Sequence, residues 1–228
     1  MGELTAADFE FLGIIFLSYV IGSIPPAYIA GRLFGGVDLR ERGSGNVGGA
    51  NVYTQVSRWL VVPVGIAEVA KGAGAVLLAR AADFDPGGQM MAGVFALIGH
   101  NWSIFLGLRG GRGTGVIIGV LLVLAPLQLG LFAASGILGL LLNVTPIGVL
   151  VGLALTPISA LISGQHISVF LGCSAILLVI LTKRVLGNEP SLWRSDWQVL
   201  LLRLFLDRDI RNRDEWLARS DTTTRSLL

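Results

Sequence analysis

The 228 residues are 53% hydrophobic and only 14% charged, with a formal net charge of +2. Soluble chains are about a quarter charged, so this composition excludes an ordinary soluble domain, and so small a net charge argues against a nucleic-acid partner. The one cysteine, Cys173, lies in an apolar run, which excludes an internal disulfide and a cysteine-based metal cluster.

The apolar residues arrive in blocks at 11–30, 59–79, 90–106, 114–125, 127–142, 147–162 and 167–181. Most approach the roughly 17–25 residues that cross a hydrocarbon core about 30 Å thick. The pattern predicts an all-α polytopic membrane protein with about seven transmembrane helices. The fourth block is short, and a six-span chain with that region re-entrant is the rival arrangement. The start, MGELTAADFE, is acidic where a secretory signal is basic, so the first span is expected to stay.

Basic residues mark the inner side of a membrane protein. Arg32, Arg40, Arg42 and Arg58 fall in the first long connection, Arg109 and Arg112 in a later one, and Lys183, Arg184 and further arginines in the tail. Alternate connections hold Arg80 with Asp83 and Asp85, or the neutral SGQHIS. Seven spans then put the N-terminus outside and the C-terminus in the cytoplasm. The chain divides into a seven-helix transmembrane domain at 1–185 and a basic amphipathic cytoplasmic tail at 186–228. In the tail, Trp193, Trp197, Leu200, Leu201, Leu204 and Phe205 form an apolar stripe flanked by Arg194, Arg203, Arg208 and Arg211. That pattern fits a helix lying on an anionic leaflet, with a solvated helix packed on protein as the alternative.

Two glycine-dense loops gather most of the polar groups. The first, GSGNVGGAN at 43–51, supplies Ser44, Gly45, Asn46 and Asn51. Glycines there permit tight turns that aim several N–H groups at one anion. The loop fits a dinucleotide fingerprint, but that motif has meaning only between a strand and a helix, and here it follows an apolar span. The second, GHNWSIFLGLRGGRG at 99–113, supplies His100, Asn101, Ser103, Arg109, Gly110, Gly111 and Arg112. Arginine forks take phosphate oxygens in pairs. Glu68 and Lys71 sit three residues apart inside an apolar block, on one helix face. Charges within a membrane segment pair and face a bundle interior or cavity. They are either a structural ion pair or part of a site.

These stretches resemble the bacterial acyl-phosphate:glycerol-3-phosphate acyltransferase family along the chain to about Glu189. GSIPPAYIAGRLFGGVDLRERGSGNVGGAN is similar to its GSIP…GSGN-x-GATN block, and GHNWSIFLGLRGGRG to its GHN-[FW]-S-x-FL-x-FKGGKG block. Several positions depart from the pattern. Arg109 and Arg112 replace lysines, Glu68 replaces an aspartate, and Thr54 stands where an arginine is usual. Leu178 and Leu181 stand at a histidine and an asparagine, while Arg184, Gly187 and Glu189 keep the pattern.

The resemblance implies an enzyme of phospholipid synthesis in a bacterial plasma membrane, with its active site on the cytoplasmic side. It implies transfer of an acyl group from acyl phosphate to the sn-1 hydroxyl of glycerol 3-phosphate, giving lysophosphatidic acid, with no cofactor and no metal. Expected catalytic residues are His100, Asn101 and Ser103. Ser44, Gly45, Asn46, Asn51, Lys71, Arg109, Gly110, Gly111 and Arg112 are expected to bind phosphate, with Glu68, Arg184 and Glu189 in support. The proton of the attacking hydroxyl would pass either to His100 or to a substrate phosphate oxygen. The alternative is a non-catalytic relative that binds or moves an anionic lipid or metabolite. Expected partners are acyl phosphate, glycerol 3-phosphate and membrane lipid; no oligomeric state is specified by the sequence.

Overall fold

The computed structural model describes residues 5–187, 197–212 and 215, and among these every regular element is helical. Helix α1 (Ala6–Ser23) opens on a capping box in which Thr5 and Asp8 satisfy each other's backbone N–H groups. The expected span at 11–30 is not one continuous helix. Pro25 and Pro26 have no N–H to continue the ladder, so α1 stops at Ser23 and α2 (Pro26–Gly35) starts afresh. The interruption leaves carbonyls without helical donors, and the site uses them.

The first glycine loop leads into α3 (Gly49–Gln55), then a 3-10 turn and α4 (Val61–Ala81). Helix α5 (Pro86–Asn101) ends earlier than the block at 90–106 suggests, and Ile104–Leu106 form a 3-10 turn instead. The second glycine loop follows. Then come α6 (Thr114–Leu124), α7 (Pro126–Leu141), α8 (Thr145–Ile162) and α9 (Ile167–Leu186). A last helix, α10 (Trp197–Leu206), belongs to the tail. Of the expected tail stripe, Trp193 and Arg194 lie outside the described residues.

Among the described residues, four apolar stretches are long enough to cross a membrane: Ala6–Gly35, Arg58–Ala81, Thr145–Ile162 and Ile167–Leu186. Helix α6 has 11 residues, about 16 Å of rise, shorter than a hydrocarbon core. Many large apolar side chains face outward, including Phe16 at 68%, Leu141 at 72% and Ile162 at 80% exposure. A surface so apolar has lipid as its solvent.

Small residues set the spacing of the helices. A Cβ on Gly22 would collide with the Ala96 backbone, and one on Gly99 with the Tyr19 backbone, so α1 and α5 nearly touch. Gly72 against Val116 and Gly119 against Val69 do the same for α4 and α6.

Contacts sort the polar groups to two ends. At one end, Tyr19 donates its hydroxyl to the Trp102 carbonyl, Arg40 reaches Leu106, and Arg184 reaches Pro146. Both glycine loops and the tail gather there. At the other end, Arg80 donates to Gln89 and Val123, and Gln128 approaches Ser159.

Candidate active site

Where α1 gives way to α2, Pro26 cannot donate to the Gly22 carbonyl as a helical residue would. Lys71 of α4 takes its place. Its Nζ donates to Gly22 at 3.0 Å and to Ile24 at 2.7 Å. Glu68, one turn earlier on α4, pairs with Lys71 Nζ at 2.7 Å and with His100 Nδ1 at 2.8 Å through the same oxygen, Oε2. Both side chains of the ion pair are under a tenth exposed. The lysine thus lies close to three oxygens, those of Gly22, Ile24 and Glu68. Lys71 Nζ also lies 3.3 Å from His100 Nδ1. A hydrogen on Nδ1 would point to the carboxylate and leave Nε2 as the acceptor.

His100 Nε2 faces the second glycine loop. A Cβ on Gly111 would overlap Nε2 and the Val47 carbonyl, and one on Gly110 would overlap the His100 carbonyl. Glycine here is a requirement of space. The hairpin is pinned by Gly110 N–H to Asn101 and Gly111 N–H to His100, both at 3.2 Å. Ser103 Oγ donates to the Ser23 carbonyl at 2.6 Å, which ties the loop to the end of α1. A small cleft opens between Ser23, Glu68, His100, Ser103, Gly110 and Gly111, with Val47 of the first loop on its wall.

The first loop is shaped from within. Asn51 is buried, and its amide nitrogen lies 3.0 Å from the carbonyls of Leu39, Arg42 and Asn46. It braces the loop and has no hydrogen to spare for a ligand. Gly43 and Gly45 adopt left-handed backbone at φ 55° and 66°, a region open to glycine. Ser44 Oγ accepts from Asn46 N–H at 3.3 Å. Asp38 anchors the approach, pairing with Arg40 at 2.6 Å and Arg32 at 2.9 Å. Hydrogen bonding from the Arg40 side chain holds the Asp38 carboxyl below its usual range, against the opposing effect of burial.

The other expected residues are dispersed around this centre. Asn101 is fully buried, and neither amide atom has a partner. Arg109 is exposed. Arg112 binds Asp207 of the tail, Nε to Oδ1 at 2.6 Å. Arg184 donates to Leu204 and Pro146, joining α9 to the tail and to the start of α8. Glu189 lies outside the described residues. Leu178 is 63% exposed on the outer face of α9, whereas Lys183 is buried with its Nζ 5.3 Å from the Trp102 ring centre. Sequence reasoning passed over Ser23 and Asp207. The first had a signal in the proline pair beside it; the second had none, being one of several tail aspartates.

Fold and site define a helical integral membrane protein with a buried Glu–Lys–His cluster beneath two glycine loops. The family model described as Glycerol-3-phosphate acyltransferase matches residues 12–188. A protein of Dehalococcoides mccartyi named glycerol-3-phosphate acyltransferase 5 is 36% identical, covering 92% of this chain and 94% of its own length. One of Rubrobacter xylanophilus with the same activity in its name is 34% identical, covering 79% and 85%. The chain belongs to the glycerol-3-phosphate acyltransferase family. Its fold is that of PlsY (YgiH), an integral membrane glycerol 3-phosphate acyltransferase solved in its glycerol 3-phosphate form. That match has a TM-score of 0.72 at 24% identity and covers 89% of this chain and 96% of that one. The same protein solved with lysophosphatidic acid matches with a TM-score of 0.69 at 22% identity, covering 91% and 98%.

Proposed function

We propose that this protein transfers an acyl group from acyl phosphate to the sn-1 hydroxyl of glycerol 3-phosphate, releasing lysophosphatidic acid and inorganic phosphate. The observation that carries this reading is the Glu68–His100 pair, with Nδ1 2.8 Å from the carboxylate and Nε2 turned towards the glycine loop. A histidine so held is a general base. Family membership and the ligands named for the solved relative support the substrate assignment.

In this mechanism His100 Nε2 takes the proton of the attacking hydroxyl, whose oxygen forms the new ester bond to the acyl carbon. The acyl–oxygen bond to phosphate breaks, phosphate leaves with the electron pair, and the proton passes from His100 to it. Glu68 stabilises the imidazolium formed in between. The loop N–H groups, with Ser44, Asn46, Arg109 and Arg112, hold the two phosphates. The donor is already activated, so placement of hydroxyl beside carbonyl supplies most of the acceleration. No nucleophilic side chain is required, and no cofactor enters.

The seven apolar helices α1 and α4–α9 are assigned as the spans, α6 being tilted or thinning the bilayer around it. The end bearing both loops and the arginine-rich tail is assigned to the cytoplasm, in a bacterial plasma membrane. The domain at 1–185 holds the chemistry, and helix α10 of the tail rests on that face.

The test is direct. Protein purified in detergent is given palmitoyl phosphate and labelled glycerol 3-phosphate, with acyl-CoA and acyl carrier protein thioesters as parallel donors. Labelled lysophosphatidic acid from acyl phosphate alone is expected. No product from any donor, with glycerol 3-phosphate still bound, would leave a binding protein in place of an enzyme.

A further inference from the structure

The tail helix lies outside the residues matched by the family model, which end at 188. It is nevertheless built into the end of the bundle that holds the site. Arg203, 2% exposed, donates to the Val185 carbonyl at 3.1 Å and to Leu186 at 3.4 Å, and its Nε meets Asp209 at 2.5 Å. Arg184 donates to Leu204 at 2.8 Å. These contacts cover the last turn of α9, where helix carbonyls lack helical donors. They dock α10 without help from Asp207.

Asp207 does something else. Just past α10 the chain turns through left-handed backbone at this residue, φ 53°, a conformation aspartate adopts more readily than most side chains. Its Oδ1 meets Arg112 Nε at 2.6 Å across 95 residues of sequence. Both side chains are no more than a fifth exposed. Arg112 stands next to Gly111, which lines the cleft. A guanidinium has five N–H donors in a rigid plane. Carboxylates frequently take a guanidinium through two nitrogens at once. Asp207 takes Nε, while Arg112 NH1 is buried with no partner. A buried, unsatisfied donor on a cationic fork is costly, and an anion delivered to it would relieve that cost.

We infer that Asp207, from the C-terminal tail, is a positioning residue for the acyl transfer: it fixes the plane of Arg112 so that the terminal nitrogens meet a substrate phosphate. The inference rests on the acyltransferase reading and deepens it, making the tail a working part of the site. It also separates positioning from inhibition. A competing carboxylate would weaken phosphate binding, and its removal would lower KM; a positioning carboxylate strengthens binding, and its removal raises KM.

The experiment compares wild type, Asp207→Ala and Asp207→Asn, each checked for an unaltered thermal transition in detergent. KM for at least one of the two phosphorylated substrates is expected to rise about tenfold in Asp207→Ala, with kcat changed less, since a misplaced clamp loses up to roughly a hundredfold. Asp207→Asn retains an acceptor for Nε and should recover part of the loss. In a double-mutant cycle with Arg112→Lys, the Asp207 change should have no further effect. Unchanged or lowered KM, or effects that simply add to those of Arg112→Lys, would overturn the inference. Calorimetric binding of glycerol 3-phosphate and of inorganic phosphate to the same variants reads the proposal without turnover. If wild type binds phosphate tenfold more tightly than Asp207→Ala but forms no product, the positioning role stands and the acyltransferase reading falls.

Discussion

Lys71 Nζ meets the carbonyls of Gly22 and Ile24 and the Glu68 carboxylate, and the same carboxylate stands 2.8 Å from His100 Nδ1. His100→Gln should therefore lower kcat by about 10²–10⁴-fold, the usual worth of a general base, with folding retained and KM for either substrate little altered. Retained turnover would transfer the base role to a substrate phosphate oxygen. Asp38 offers a test of the loop that is independent of catalysis. Its folded pKa is depressed, chiefly by the Arg40 side chain. Its contribution to stability is thus complete above the unfolded carboxylate value of about 3.9 and is lost as pH falls through the lower folded value. The melting temperature of Asp38→Asn in detergent should lie below that of wild type at pH 6, and the gap should narrow below about pH 4. A gap that widened with acid would contradict the assignment.

At the scale of elements, the proline pair between α1 and α2 creates the anchor for Lys71. Pro26→Ala restores an N–H that competes for the Gly22 carbonyl and favours one continuous helix. Helical signal in circular dichroism should hold or rise while turnover drops, because the lysine and then the histidine lose their fixed positions. Unchanged turnover in that variant would show that the break is incidental. The glycines at the α1–α5 and α4–α6 crossings act in concert with this. They bring the backbones close enough for a lysine on α4 to reach carbonyls on α1, a distance that larger residues would not allow.

For the whole molecule, the assignment of sides makes a prediction that needs no activity. Cys173 is buried, so it gives little background to a membrane-impermeant maleimide. Arg109 and Gln165 are exposed at opposite ends of the bundle. A cysteine at 109 should react only in inside-out vesicles and one at 165 only in right-side-out vesicles. The reverse result would invert the topology; labelling of both positions from one side would require an even number of crossings between them.

The sequence by itself determined the solvent, the helical class and the identity of the two loops. Apolar runs near bilayer length leave the backbone no alternative to helices, and glycine, arginine and histidine in fixed order carry a local chemical meaning. It also singled out Glu68 and Lys71, because two charges on one face of an apolar helix need partners. Tertiary structure alone decided who those partners are. Nothing local in the sequence joins Lys71 to Gly22, Glu68 to His100 or Arg112 to Asp207, which lie 49, 32 and 95 positions apart. It also turned the Asn51 amide nitrogen inward, towards three carbonyls of its own loop. Composition and periodicity report which face of an element is apolar. Which polar atoms meet across elements depends on how closely backbones pack and where a helix is broken, and those are properties of the assembled bundle.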